Sequence, residues 1–320
     1  MNVVILGGAG FIGSRLAALS PEAYQVVIVD DFHPNCGGEL KNLAKIKREF
    51  KLIDPFNSSS VINALGSADV VVDSVGLTSH KLGTIDSSLD LELNYSTRCR
   101  YLKMMGSITS SRPKFIGLGT LCQINGKGCE LDLDEASMTC PSDIQGMHKA
   151  RSEFILQEFS ATNNLNSISL RLPPVFGPNF LSFKRDNGLL GNLIISAIQK
   201  QEITLFNPSF RNRPFLFVDD LIALILSLAE TDWVGFVKMN IPVRYRDLDV
   251  VAQAVKHVAG HCELIYEKSA PQGSLANDSE GKVKRSTTLE ELGLTFRETH
   301  FDDALLMTYN SALEDIGLLQ

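Results

Sequence analysis

The chain has 320 residues, 44% of them hydrophobic and 21% charged, enough apolar material for a large core in one big domain or two. Thirty Lys and Arg against 37 Asp and Glu give a formal charge of −7, with no basic block to follow a phosphate backbone, so nucleic acid is excluded as an expected partner. Short apolar, β-branched runs then recur along the chain: VVIL (3–6), VVIV (26–29), FKLID (50–54), VVVD (70–73), FIGLG (115–119) and SISLRL (167–172). Helix-like segments separate most of them: FIGSRLAALS after the first run, the serine-led SSSVINALG, and a long stretch from about Ser87 to Met105. Strands alternating with helices predict an α/β fold with a doubly wound parallel sheet.

After about residue 174 the rhythm loosens, and Pro, Gly and Asn cluster in PPVFGPNFLSFKRDNG. GLLGNLIISAIQK, VDDLIALILSLAE and FDDALLMTYNSALEDI follow as helices of a smaller, less regular lobe. The expected organisation is residues 1–173 as one domain and 174–320 as a second, with some strands and helices of the latter part interleaved into the first. Strand-like sequence starts at Asn2, which leaves no room for a signal peptide. The longest apolar run, LIALILSLA (221–229), is too short to span a bilayer. Cys36, Cys99, Cys122, Cys129, Cys140 and Cys262 include no C-x-x-C pair, and no histidines stand at zinc spacing. Reduced thiols, no metal site, no membrane and a cytoplasmic location are therefore expected.

The first strand runs into GGAGFIG. Gly8, Gly10 and Gly13 satisfy G-x-G-x-x-G, and Gly7, Gly10 and Gly13 satisfy G-x-x-G-x-x-G. With a strand before and a helix after, such glycines let the backbone approach a pyrophosphate seated on the amides of the helix start, here at Phe11 and Ile12. The alternative is a plain tight turn. The second strand ends at Asp30, whose carboxylate suits the two hydroxyls of an adenosine ribose and would repel a 2′-phosphate, which predicts NAD rather than NADP. Asp31 follows at once, and one of the two is a solvated strand end. Asp54 either accepts from the adenine amino group or caps the helix ahead of NSSS.

This order of motifs resembles the extended short-chain dehydrogenase/reductase superfamily, specifically the nucleotide-sugar epimerases and dehydratases of the UDP-glucose 4-epimerase type, over nearly the whole chain. GGAGFIGS and the Asp30 strand match the cofactor motifs of a Rossmann fold. VVDSVGLTSH stands in the place of the segment lining the nicotinamide, and Asn94 in LELNYST matches a helix asparagine that typically follows. In GLGTLCQING, Thr120 falls on the catalytic hydroxyl position, with an implied hydrogen bond to the sugar oxygen; otherwise it is a strand-end threonine. NRPFLFVDDL resembles the R-x-F-x-x-V-x-D segment, so Arg213 matches the arginine that grips the nucleotide diphosphate, a task for a charged planar fork. Asp219 and Asp220 are read as helix caps, and Asn192 either contacts the nucleotide or is a surface polar residue.

The resemblance implies a catalytic Tyr-x-x-x-Lys, whose lysine binds the nicotinamide ribose and lowers the tyrosine pKa. PSDIQGMHKARSE carries Gln145-x-x-x-Lys149 instead, and an amide cannot ionise. Pro174 replaces a loop asparagine, and Asp73-Ser74-Val75-Gly76 replaces a His-Leu-Ala-Ala type of sequence. Losing a general base typically costs on the order of 10²–10⁴ in rate. His148 shares a helix face with Gln145 and is either a base or a neutral packing residue. Lys149 itself, Tyr95 or Tyr101 from the neighbouring helix, or the substrate are the other sources of proton transfer. Two readings follow. One is an NAD-dependent nucleotide-sugar epimerase or dehydratase of polysaccharide or glycolipid precursor synthesis with an altered proton-transfer site; the other is a catalytically degenerate NAD-binding sensor or scaffold subunit. By resemblance the protein is a homodimer through the helices near 87–105 and 143–162.

Overall fold

The computed structural model describes residues 1–108, 112–126, 132–141, 143–181, 187–206, 212–268, 282–283 and 285–317. The chain forms two compact units. The first takes Met1–Leu172, Ile222–Pro242 and Ser279–Phe296; the second takes Pro173–Leu221, Val243–Asp278 and Arg297–Gln320.

The first unit is built on seven parallel strands: β1 (Asn2–Leu6), β2 (Gln25–Val29), β3 (Lys51–Ile53), β4 (Val70–Asp73), β5 (Lys114–Thr120), β6 (Ser167–Leu172) and β7 (Phe236–Asn240). Their order is β7-β6-β5-β4-β1-β2-β3, so the chain reverses direction across the sheet between β1 and β4. In a doubly wound sheet, ligands bind outside the carboxyl ends of the strands at that reversal. Register places those ends together: Leu6 pairs with both Val29 and Asp73, and Asp73 pairs with Gly117. Gly7, Asp30 and Ser74 therefore leave the sheet along one edge.

Val4, Leu6, Val71 and Phe115 are fully or almost fully buried, as expected of strands covered on both faces. They pack in one core with Leu65 of α2 (Ser58–Gly66), Leu102 and Met105 of α5 (Thr97–Gly106) and Leu156 of α6 (Ile144–Asn163). The glycine turn leads into α1 (Phe11–Leu19), and α3 (His80–Ile85) and α4 (Ser87–Leu91) follow β4. The long helix expected over 87–105 is not uniform. A π-turn at Glu92–Ser96, carrying Asn94, separates α4 from α5. Asn57, whose side chain accepts from Ser60 N, caps α2, so Asp54 is not that cap; its Oδ1 accepts from Phe56 N at 2.9 Å.

The second unit packs the helices Gly188–Lys200, Leu248–Ala259 and Phe301–Asp315 around a parallel pair, Glu202–Phe206 with Glu263–Glu267. Asp219 and Asp220 lie inside the first turn of Val218–Glu230, and the Asp220 carboxylate binds the Thr299 amide and hydroxyl instead of capping its own helix. Cys140 is disulfide-bonded, which corrects the expectation of reduced thiols at that residue; its partner lies outside the described residues. Among the described residues no helix is long and apolar enough to cross a membrane.

Candidate active site

At the end of β1, Gly7 adopts φ +75°, a left-handed conformation that favours glycine, while its amide donates to Val29 O at 2.8 Å. A Cβ at Gly13 would lie 2.5 Å from Gly7 O and 2.7 Å from the Gly8 Cα, so only hydrogen fits where α1 crosses the turn. Gly10 offers α1 no capping side chain, and the first turn, with Phe11 and Ile12, holds no acidic residue. The positive end of the helix is thus left to an anion. Gly13→Ala is expected to cost about 1–3 kcal/mol through backbone displacement and to weaken dinucleotide binding, checked by thermal melting and NAD titration.

The Asp30 carboxylate reaches this turn. Oδ2 accepts from Ala9 N and Oδ1 from Phe32 N, both at 2.8 Å. Burial pushes its carboxyl up, and the two amide bonds act against that. Each oxygen keeps a second lone-pair direction for a ribose hydroxyl. Asp31 turns to His33 N instead, so the structure distinguishes the two aspartates.

The second half of the site forms where β4 and β5 end against α6. Asp143 caps α6, accepting from Gly146 N at 2.8 Å. A Cβ at Gly146 would lie 2.5 Å from Cys122 O, so a glycine here lets the helix start close onto the turn after β5. One helical turn in, the Lys149 ammonium donates to Leu118 O at 3.3 Å and Val75 O at 3.4 Å. Burial, then the nearby Arg98 charge, lower its pKa from 10.5 to about 8. Thr120 accepts from Cys122 N, and its own amide donates to Gln123 Oε1 at 2.8 Å, so the strand-end role is real; the hydroxyl proton remains a donor. Gln145 is buried and donates to Leu77 O at 2.6 Å, a carbonyl that also accepts from Asn94 Nδ2 at 3.2 Å.

These residues fit a nicotinamide riboside. A Cβ at Gly76 would meet Asn94 Oδ1 and Lys149 Nζ, each at 2.8 Å, so glycine leaves a cradle between them. Asn94 Oδ1 is buried without a hydrogen-bond partner in the described structure.

Other expected residues stand elsewhere. His148 Nδ1 pairs with the fully buried Asp90 at 2.7 Å. Tyr101 lies in the hydrophobic core, where burial raises its pKa. Arg213 and Asn192 belong to the second unit: Arg213 is partly buried on Asn212–Pro214, paired in register with Arg246, and Asn192 is exposed on its helix.

Sequence reasoning missed the supports. Glu153 accepts from Gln123, Ser169 and twice from Arg171, at 2.6–3.1 Å, and so holds the Thr120 turn through Gln123. Thr120-x-x-Gln123 is a capping-box spacing and was a usable signal. Asp73 pairs with Arg98 at 2.6 Å in the core, and Arg98 also donates to Leu118 O. No local pattern links those two positions.

A parallel sheet reversing beside a glycine turn, with an acidic end to β2 and a half-buried lysine at the ends of β4 and β5, defines a Rossmann-like dinucleotide-binding protein. The chain belongs to the NAD dependent epimerase/dehydratase family, whose model matches residues 3–241. It is 23% identical over 244 residues to Protein CapI of Staphylococcus aureus, covering 72% of this chain and 70% of that protein. Its fold is similar to UDP-glucose 4-epimerase of Thermotoga maritima, solved with UDP-glucose, at 21% identity and TM-score 0.83, covering 99% of this chain and 100% of that one. It is also similar to UDP-glucuronic acid 4-epimerase of Bacillus cereus, solved with UDP-glucuronic acid and NAD, at 23% identity and TM-score 0.81, covering 98% and 99%.

Proposed function

We propose that the protein is an NAD-dependent epimerase or dehydratase of a nucleotide sugar, acting in polysaccharide or glycolipid precursor synthesis in the cytoplasm. The observation that carries this reading is the Lys149–Gly76–Asn94 cradle at the strand ends, on the same sheet edge as the glycine turn and Asp30. Bound there, NAD would take a hydride from the sugar carbon and return it. Glycines 7, 10 and 13 with Phe11 and Ile12 would hold the pyrophosphate, Asp30 the adenosine ribose, and Asp54 the adenine edge. Lys149 would hold the nicotinamide ribose, and Thr120 the sugar oxygen. Arg213 and Asn192 are the residues proposed for the substrate's diphosphate and nucleotide.

UDP-sugars are the first compounds to test, because the structural relatives were solved with UDP-glucose and UDP-glucuronic acid. Purified protein, NAD and UDP-glucose, UDP-N-acetylglucosamine or UDP-glucuronic acid are mixed, and reduced nicotinamide and sugar products are followed. Isomerised or dehydrated sugar is expected. NAD binding without conversion of any of them, or of other nucleotide sugars, favours the second reading, a degenerate NAD-binding sensor or scaffold. What supports that alternative is Gln145, whose amide is committed to Leu77 O.

The same reading includes a homodimer. Met147 and Phe154, one heptad apart on α6, are 36% and 61% exposed. Phe154→Glu is expected to turn a dimer into a monomer on sedimentation; parental protein that is monomeric at every concentration contradicts this.

A further inference from the structure

Asp73 is the last residue of β4 and the first of the Asp73-Ser74-Val75-Gly76 departure. Its buried carboxylate has two partners: Oδ2 accepts from Arg98 Nε at 2.6 Å, and Oδ1 accepts from Val75 N at 3.2 Å. Arg98, on α5, is buried as well and donates through Nη2 to Leu118 O at 3.1 Å. Gly117, the register partner of Asp73, makes room for the guanidinium: a Cβ there would lie 3.3 Å from Arg98 Cζ and Nη2. Val75 and Leu118 are also the residues whose carbonyls accept from the Lys149 ammonium, at 3.4 and 3.3 Å. One ion pair thus grips both halves of the lysine's seat, Asp73 through the Val75 amide and Arg98 through the same Leu118 oxygen. Stability alone does not account for the pair. A buried ion pair is often no better than apolar side chains of similar volume, and Arg98 Nη1 is buried without a hydrogen-bond partner in the described structure.

We propose that Asp73 and Arg98 are positioning residues for Lys149: together they fix the two carbonyls that hold its ammonium, and Arg98 keeps a second positive charge beside it. The proposal deepens the nucleotide-sugar reading and rests on it for the task of the lysine. The groups acting on the Lys149 charge come from several segments. Arg98 of α5 disfavours it, whereas Asp73 at the end of β4, Asp90 of α4 and Cys36 of the loop after β2 favour it; Asp90 is itself paired with His148. Burial acts most strongly, then Arg98, and the lysine titrates at about 8 instead of 10.5. The pair therefore sets how much of Lys149 is charged near neutral pH, beside the Gly76–Asn94 cradle.

The test follows Lys149 by NMR in the full chain carrying isotope-labelled lysine, its resonance being the one missing from Lys149→Met. In parental protein it is expected to titrate at about 8. Asp73→Asn keeps an acceptor for Val75 N and removes a charge that favours the ammonium, so the midpoint falls. Arg98→Met combined with Asp73→Asn removes both charges and leaves no unpaired carboxylate in the core. Arg98 acts on Lys149 more strongly than Asp73 does, so in this double variant the midpoint rises, by on the order of one unit. Arg98→Lys keeps a cation and holds the midpoint closer to the parental value than the double variant does. The pH profile of UDP-sugar turnover moves in the same direction as the titration in each variant. A merely structural pair would not move the midpoint in opposite directions. A parental Lys149 that titrates at 10.5, or a midpoint that neither the single nor the double variant moves, overturns the assignment and leaves the functional reading standing. Midpoints that move as expected in a protein that binds NAD and converts no nucleotide sugar uphold the assignment and overturn the functional reading.

Discussion

Lys149→Met is expected to lower nucleotide-sugar turnover by about 10²–10³-fold, the usual cost of removing one preorganised polar group from a reaction centre. It is also expected to weaken NAD binding, because the ammonium stands beside the Gly76 cradle with Asn94. Stability should move the opposite way. Burial lowers the Lys149 pKa from 10.5 to about 8, so the native state disfavours the charge and binds fewer protons than the unfolded chain between those values. Parental stability therefore rises with pH across that window, and the penalty is fully present below about pH 8. Methionine is similar in volume and uncharged, so the variant is expected to melt at or above the parental temperature at neutral pH, with the gap closing toward pH 10.5. Calorimetry and steady-state kinetics on one preparation check both halves. An inactive variant that is also unstable would show a packing role instead of a site role.

Glu153→Ala is expected to destabilise the fold by about 3–5 kcal/mol, because removing one member of a buried ion pair leaves the other uncompensated. Arg171 is 1% exposed, and Ser169 and Gln123 lose the same acceptor. The loss then reaches the site, since Gln123 Oε1 holds the Thr120 amide. Burial works to raise the Glu153 pKa, but the Arg171 hydrogen bonds and charge, helped by Ser169, hold it below 4.5. A depressed carboxylate stabilises the native state above its unfolded pKa, and that contribution is lost as pH falls through the folded value. Denaturant unfolding of parent and variant should therefore differ most at neutral pH and converge in acid. A difference independent of pH would show that the charge on Glu153 does not matter.

Much of this was legible locally. VVIL, VVIV, FKLID, VVVD, FIGLG and SISLRL each contain or overlap a strand of the central sheet, because buried parallel strands are continuous apolar runs. β7 escaped notice: FVKMN is only partly buried, being an edge strand, and it pairs with β6, 64 or more residues away in sequence. The glycine turn was readable since a positive φ at Gly7 and the close pass at Gly13 each call for glycine. Asn57 as the cap of α2 and the π-turn around Asn94 were not, because several polar residues near each boundary suit the same role. Lys149 was found by its spacing from Gln145, but the meaning of its neighbours was hidden. Arg98 meets Asp73, and His80 meets Asp143, only after β4, α3, α5 and α6 have packed. Ion pairs between distant segments leave no period in the sequence, and the same holds for His148, whose partner Asp90 sits on α4.

Which dinucleotide the protein binds tests the site at Asp30 and the glycine turn most directly. Purified protein is incubated with an equimolar mixture of NAD and NADP, freed of unbound ligand and denatured, and the released small molecules are identified by mass spectrometry. The carboxylate of Asp30 beside the glycine turn predicts NAD with little NADP. Release of NADP in its place, or of neither dinucleotide, would contradict it.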